Sequence, residues 1–397
     1  MEKPAIDGGK PIRKNYLVFG KPDIGEAEIN QVVKVLKSKW LGTGPMAKKF
    51  EENFSKYIGC KYSITLNSCT AALFLSLLCS GIKINDEIIT TPMTFAATVN
   101  VIEHIGARPI FIDIEEDSYN IDADKIENII TSNTKAILPV HFGGLPCDMG
   151  KIQKIANKYK LHIIEDAAHA VGAEYNSKKI GSFGNPTCFS FYATKNLTTG
   201  EGGMVCLNDK DLAEKIKIFS LHGLSKNAWQ RFDKNSKKIY DILYPGYKYN
   251  MADINAAIGI KQLERINEMN SLRRKFAKIY LESFENIDLI EIPSVKSGRK
   301  SSWHLFPILL KIEKLRISRN QFIIALDREN IGSGCHYQAI HSQKYYKDKY
   351  NYKINDFKRA AYVSERTLSI PLQSSMNEVD VMDVIKAVKK LLNYYKK

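Results

Sequence analysis

The stretch Tyr62-Ser63-Ile64-Thr65-Leu66-Asn67-Ser68-Cys69-Thr70-Ala71-Ala72-Leu73-Phe74-Leu75-Ser76-Leu77-Leu78-Cys79 sets the architecture. Its opening mixes apolar and β-branched residues and reads as a strand, Tyr62–Leu66. Residues 70–79 read as a helix, and the polar joint Asn67 to Thr70 supplies its cap. The unit recurs down the chain. Strand Glu87–Thr90 precedes a helix over 95–104. A strand over 108–114 precedes a helix over 123–130. A strand over 136–141 precedes the helix Met149–Tyr159, and a strand over 161–165 follows. Strands this short and continuously apolar suit a parallel sheet buried on both faces. Repeated β-α units predict an α/β layered domain with right-handed crossovers. The runs 187–192 and Gly203–Leu207 add further strands.

Past Asn208 the pattern changes. A helix is expected over 212–221, then a long polar and aromatic loop over 226–247. Helices over 251–270 and 271–284 follow, then a strand over 303–312, a helix over 318–329 and a closing amphipathic helix over 379–392. The 397 residues therefore divide into a large α/β domain with an N-terminal arm, residues 1–262, and a smaller α+β domain, residues 263–397.

Composition excludes several classes. A hydrophobic share of 44% and a charged share of 25% rule out a disordered, collagen-like or disulfide-scaffold chain. The net charge of +15 fits a nucleic-acid binder, a membrane-surface binder, an enzyme for anionic substrates, or a plain lysine-rich surface. The seven cysteines form no C-x-x-C pair, so the common zinc and redox spacings are absent. Most of them read as small core residues, and a reducing cytoplasm is the expected home. Residues 1–16 hold no apolar h-region, and the stretch 71–82 is too short to span a bilayer. No P-loop or H-E-x-x-H string occurs, and no metal is expected. Gly42 to Ala47 matches G-x-G-x-x-A but follows a helical pattern and contains Pro45, so the dinucleotide context is missing.

The informative residues stand where strands end, the usual ligand side of such sheets. Asn67-Ser68-Cys69-Thr70 joins a strand to a helix N-terminus and suits a phosphate, or serves only as a cap. Glu165-Asp166-Ala167-Ala168-His169 closes the strand over 161–165. Acids beside a core need a partner, such as a pyridinium nitrogen, or else lie in a solvated loop. Ser190-Phe191-Tyr192-Ala193-Thr194-Lys195-Asn196 closes another strand and is followed by Gly200, Gly202 and Gly203. A lysine there can form a Schiff base. An anion seat, an acid and an amine in one α/β domain supply what pyridoxal phosphate needs.

With those residues in hand, the chain resembles the sugar aminotransferases of the DegT/StrS type, of fold type I among pyridoxal phosphate enzymes. The resemblance runs from about Phe19 to the C-terminus. It rests on Trp40 to Pro45, Ser68, Thr91-Pro92-Met93-Thr94-Phe95, Glu165 to His169, Ser190 to Gly203, Gly246 to Asn250 with Asn255-Ala256-Ala257, and His341 to Tyr346. The last two groups look most like the branch that makes 4-amino-4-deoxy-L-arabinose on a UDP carrier. The resemblance implies a three-layer α/β/α large domain and a smaller C-terminal one. It implies that Lys195 carries the cofactor as a Schiff base and shuttles the proton. Asp166 holds the ring nitrogen, His169 contacts the ring's phenolic oxygen and Phe95 stacks on the ring. Ser68, Cys69, Thr70 and Ser190 hold the phosphate. Lys248 and Asn250 reach the site from the partner subunit of a homodimer, and His336, Tyr337 and His341 shape the sugar-nucleotide pocket.

Two positions depart from the family pattern. Many relatives have glycine where this chain has Cys69, and many read G-Y-N-Y-R where this chain reads Gly246-Tyr247-Lys248-Tyr249-Asn250. Sugar dehydratases of the family replace the Schiff-base lysine with histidine, and Lys195 favours transamination. The implied reaction moves an amino group from L-glutamate, through the pyridoxamine form, to C4 of a nucleotide-linked 4-keto-6-deoxy hexose or 4-keto pentose. The product would serve glycan biosynthesis such as lipopolysaccharide, in the cytoplasm, without nucleic acid or membrane partners. Transfer at C3 and dehydration stay open on the same fold. A basic DNA-binding or regulatory protein is the reading from another class, though no basic helix with interleaved aromatics supports it.

Overall fold

The computed structural model describes residues 2–225 and 240–397. Most of the loop expected over 226–247 lies outside the described residues. Helices α1 (Glu26–Ser38) and α2 (Pro45–Ile58) lead into β1 (Tyr62–Leu66) and α3 (Cys69–Cys79). Then come β2 (Glu87–Thr90), α4 (Ala96–Ile105), β3 (Arg108–Phe111), β4 (Thr134–Ile137) and α5 (Met149–Tyr159). The strand expected over 161–165 is split into β5 (His162–Ile163) and β6 (Glu165–Asp166). A small hairpin, β7 (Glu174–Tyr175) and β8 (Lys178–Lys179), precedes β9 (Thr187–Ser190), β10 (Gly203–Leu207) and α6 (Lys210–Phe219).

Apart from the β7–β8 hairpin, these strands form one continuous sheet. Its first half runs β3-β2-β4-β5 and its second half β6-β9-β10-β1. The chain crosses between halves within residues 162–166, where Ile164 N donates to Ile137 O at 3.1 Å and Asp166 bridges Val140 in parallel. Every pairing from β3 to β9 is parallel, and β10 alone runs against its neighbours β9 and β1. One face carries a core around Phe50, Phe54, Phe189 and Phe191. The other carries α3 and α6. This is the expected three-layer arrangement of fold type I. In α3, nine of 11 residues are buried. Each buried leucine there stabilises the layer by about 1.5–3 kcal/mol, which pins the helix so that its polar N-terminus emerges at the sheet's carboxyl edge.

Two expectations change. Residues 123–130 form two 3₁₀ turns, Ala123–Lys125 and Glu127–Ile129, rather than a helix. The Asp122 side chain caps only one turn, and Ile126, Ile129 and Ile130 are β-branched, which lowers helix propensity. The helices expected over 251–270 and 271–284 are a single one, α7 (Asp253–Phe284). The polar pair Asn270-Ser271 does not break it, because the Asn270 side chain is buried and donates to Val171 O at 3.0 Å.

The expected domain boundary at residue 262 thus falls inside α7. The C-terminal half of α7 packs into a second core with β11 (Phe306–Leu310), α8 (Arg319–Arg328), β12 (Thr367–Ile370) and α9 (Glu378–Tyr395), and Leu17 of the N-terminal arm joins the same core. The arm is tied there by Glu329, which is fully buried. Glu329 accepts from Ala5 N at 2.8 Å, Ile12 N at 2.9 Å and Lys390 Nζ at 3.0 Å. Glu329→Ala leaves Lys390, a buried cation, with the Lys10 carbonyl at 2.7 Å and, among the described residues, only the exposed Glu2 at 3.6 Å as a counter-charge. The expected loss is about 3 kcal/mol of unfolding free energy, read from urea denaturation. A loss under about 1 kcal/mol, the range of exposed pairs, would mean the tie is unimportant.

Candidate active site

Three strand ends meet above the sheet. Asp166 ends β6, Ser190 ends β9, and Ser68 caps α3 after β1. Asp166 is buried. Its Oδ2 accepts from Thr98 Oγ1 at 2.6 Å and its Oδ1 from Ala168 N at 3.0 Å. Thr98 lies on α4 and is in turn 2.7 Å from Thr94 Oγ1. Burial pushes the Asp166 carboxyl above its usual range, opposed by Thr98, Ala168 and the charges of Lys195 and His141. No ion pair to Asp166 exists among the described residues. A buried acid in that condition suits a cationic ring nitrogen, which would restore its charge.

Lys195 follows β9 in a tight turn, Lys195 N donating to Tyr192 O at 2.9 Å. Burial lowers its amine to about 8, while Cys69 and Asp166 act in the opposite direction. A larger share of the amine is therefore neutral at neutral pH, as a nucleophile requires. Its Nζ stands 3.5 Å from Nε2 of His304.

The phosphate seat is built at the first turn of α3. Ser68 Oγ accepts from Ala71 N at 3.1 Å. The N–H groups of Cys69 and Thr70 have no intrahelical carbonyl, as at any helix start, and suit an anion. Cys69 turns its thiol into the core, 3.4 Å from Cys188 O. Its backbone N–H therefore stays available, and cysteine replaces glycine here without obstructing the seat. Gly203 starts β10 directly against this turn. A Cβ at Gly203 would lie 2.4 Å from Ser68 O and 2.5 Å from Cys69 N. Phe95, the N-cap of α4, is 61% exposed, so its ring is free to cover a ligand. The cradle, amine and acid fit the cofactor.

The remaining residues expected from the sequence divide into two groups. His169 and Tyr337 are at the site. Gly143 N donates to His169 Nδ1 at 3.2 Å, so the ring proton sits on Nε2, 3.1 Å from Tyr337 Oη. Burial, then the Lys195 charge, holds His169 well below its usual pKa, hence neutral. Ser190 lies on β9, paired with Gly203. His336 bonds Ser369 Oγ at 3.0 Å and stacks on Phe19, and burial lowers it to about 4. His341 is not brought to the site. It is fully buried, 3.0 Å from Ile354 O and packed on Phe357. Lys248 and Asn250 lie on the segment that runs beside the end of β1, where Asn250 bridges Leu66 and Asn67 N donates to Tyr249 O at 2.7 Å. Lys248 Nζ donates to Asn250 Oδ1, and Asn250 Nδ2 to Thr43 Oγ1. Thr43 and Asn250 line a separate cavity of about 970 Å³ between α2, the edge of β1 and α6.

Three site residues escape the sequence signals: Thr98, Asn196 and His304. Thr98 was legible only as one helical turn beyond Phe95. His304 had no spacing partner, yet the fold brings it to Lys195. Its loop rests on Gly143 and Gly144, both at positive φ. Ser302 N donates to Gly144 O and His304 N to Gly143 O, at 3.1 and 2.9 Å. A Cβ on Gly144 would lie 2.2 Å from Ser302 Oγ and 2.8 Å from His169 O.

Parallel sheet, strand-end lysine, buried acid and helix-capped anion seat together define a pyridoxal phosphate enzyme of fold type I. The sequence pattern of the DegT/DnrJ/EryC1/StrS aminotransferase family matches residues 22–389, and the chain belongs to that family. An uncharacterised protein of Methanocaldococcus jannaschii is 51% identical over 96% of this chain and 99% of its own length. The spore coat polysaccharide biosynthesis protein SpsC of Bacillus subtilis is 45% identical over 96% of this chain and 98% of its own. Among solved structures, Spr1654 of Streptococcus pneumoniae, provisionally assigned as a sugar aminotransferase and solved in its pyridoxal phosphate form, superposes with a TM-score of 0.87. It is 31% identical and covers 96% of this chain and 99% of its own. The chain is a sugar aminotransferase that uses pyridoxal phosphate. Among the described residues, no group of three His, Cys, Asp or Glu could hold a metal, and no helix is long and apolar enough to cross a membrane.

Proposed function

We propose that this enzyme moves an amino group from L-glutamate to the C4 keto group of a nucleotide-linked 4-keto sugar, for glycan biosynthesis. The observation that carries this reading is the meeting of Lys195, Asp166 and the α3 N-terminus at one carboxyl edge. Bound there, the cofactor supplies an electron sink for breaking and forming bonds at an amine-bearing carbon. The protein's residues do the rest. Ser68, the Cys69 and Thr70 N–H groups and Ser190 seat the phosphate. Asp166 holds a proton on the ring nitrogen, with Thr98 fixing the carboxylate's orientation. Phe95 covers one ring face, and neutral His169 donates from Nε2. Lys195 would hold the cofactor, and its Nζ as the free amine would take up and give back the proton that moves during the transfer. The depressed pKa suits that exchange, because the amine takes up and gives back a proton near neutral pH.

Retention of lysine at position 195 supports transamination over dehydration. In the proposed homodimer, Lys248 and Asn250 serve the partner's site, the role that the family resemblance implies. Lys248 would meet a phosphate as a point charge. Part of the +15 balance would then serve a diphosphate substrate. His336 and Tyr337 would shape the sugar end. His341 would act only by packing beneath that region.

A panel of UDP-, GDP- and dTDP-linked 4-keto sugars with L-glutamate tests the reading. The expected product carries a new amine at C4, located by NMR. An amine at C3, or loss of the C3 hydroxyl, would move the enzyme to one of the neighbouring reactions. Tight, steeply salt-dependent binding to duplex DNA with no cofactor retained would replace the enzymatic reading altogether.

A further inference from the structure

His304 has no role among those implied by the family resemblance, yet its ring is held with care. Asn196 Nδ2 gives its protons to Asn270 Oδ1 at 2.9 Å and Ser302 O at 2.8 Å. Its Oδ1 therefore faces His304 Nδ1, 3.0 Å away, as an acceptor. That fixes the tautomer: the proton is on Nδ1, and the Nε2 lone pair points to Lys195 Nζ at 3.5 Å. Asn270 is itself anchored on Val171 O. The ring lies against His169 with centroids 4.4 Å apart. The preceding residue, Trp303, is a buried bulky side chain at φ 49°. Such a conformation is strained and persists where the surroundings over-determine it. A loop held this way, ending on a bare nitrogen beside the reactive lysine, is built to present that nitrogen.

We propose that His304 is a positioning residue for Lys195: its Nε2 accepts a hydrogen bond from the lysine amine and aims it across the site. This rests on the reading of Lys195 as the cofactor-bearing lysine. The charges around the pair agree with it. Burial, then Lys195, His169, Arg273 and His336, all act to keep His304 neutral. A protonated ring would repel the lysine instead. Asp166 and Cys69 face Lys195 and favour its charge, while burial opposes it. An acceptor bonds an ammonium more strongly than an amine. His304 therefore works against burial and keeps the lysine's proton affinity from falling further.

The test uses the full chain freed of cofactor. Lys195 is acetylated competitively with acetic anhydride across a pH series, and the peptide is quantified by mass spectrometry. The wild-type midpoint is expected near about 8. His304→Phe keeps a flat ring against His169 but offers no acceptor, and its midpoint should fall by about one pH unit. His304→Gln restores an acceptor and should recover most of the shift. A packing role would be met by phenylalanine, so an unchanged midpoint in a folded His304→Phe protein overturns the proposal. If that variant does not fold, ¹⁵N-histidine NMR of the wild type decides. The expected signal is a neutral Nδ1–H ring whose Nε2 resonance moves in Lys195→Ala, and an Nε2–H ring is the contrary result. Borohydride reduction of the holoenzyme separates the two readings. Cofactor fixed to another lysine fells the assignment of Lys195, whereas an unshifted midpoint fells only the role of His304.

Discussion

Lys195→Ala is expected to lower transamination by about 10⁴-fold, the upper range for loss of a positioned proton carrier. The loss has two sources. The cofactor is no longer tethered, and the segment between β9 and β10 holds no other lysine. His304 and His169 cannot take over the proton transfer, because burial, the largest cause and one the variant keeps, holds both well below their usual pKa and makes them weak bases. Lys195→Arg should not rescue, since a guanidinium does not deprotonate and so can neither form the covalent link nor accept a proton. The measurement is paired. Turnover is followed with the preferred keto sugar, and borohydride-reduced protein is digested and searched for a cofactor adduct on the peptide holding residue 195. Wild type should carry the adduct and Lys195→Ala should not. An alanine variant that keeps substantial turnover would remove Lys195 from the centre of the reaction. Transamination runs in two halves, so single-turnover experiments with glutamate and with keto sugar should both slow.

The parts of this site legible in the sequence share one property: they sit at the ends of periodic elements. Ser68, Asp166 and Lys195 each follow a short apolar run, and the run marks the strand that positions them. Their chemistry could then be weighed jointly. Cys69 was legible as a departure, but its direction was not, because thiol rotation toward Cys188 O is settled by packing in the α3 core. The residues that escaped, Asn196 and His304, are joined by contacts across 108 residues of chain. Nothing periodic marks them. His304 is placed by a loop whose conformation depends on Gly143 and Gly144, far away in sequence. His341 shows the converse. It falls in a motif of the family resemblance, yet the fold spends its Nε2 on Ile354 O inside an aromatic cluster. The division of α7 into two helices failed for a similar reason, because Asn270 reads as a polar break but is a buried tie to Val171 and Asn196.

Asp166→Asn should cost about 10²- to 10³-fold in turnover, the range for removing one preorganised electrostatic contact. The substitution nearly preserves shape, and the Thr98 and Ala168 donors at 2.6 and 3.0 Å still find an amide oxygen on one side. What disappears is the negative charge. Without it the ring nitrogen has no anion to keep it protonated, the electron sink weakens, and the cofactor is held less tightly. Fluorescence titration should show weaker cofactor binding alongside the kinetic loss. The cofactor-free protein gives an independent check through pH. Burial raises the Asp166 carboxyl above its ordinary 3.8. A carboxyl raised on folding contributes stability below its unfolded pKa and loses that contribution as pH rises through the folded value. The melting temperature of wild-type apoprotein, relative to Asp166→Asn, should therefore decline as pH climbs upward from about 3.8. Added cofactor should reverse the ranking, because a cation on the ring nitrogen turns the buried carboxylate from a liability into a paired charge. Parallel pH profiles for the two proteins, or turnover within tenfold of wild type, would mean that Asp166 is not the partner of the ring nitrogen.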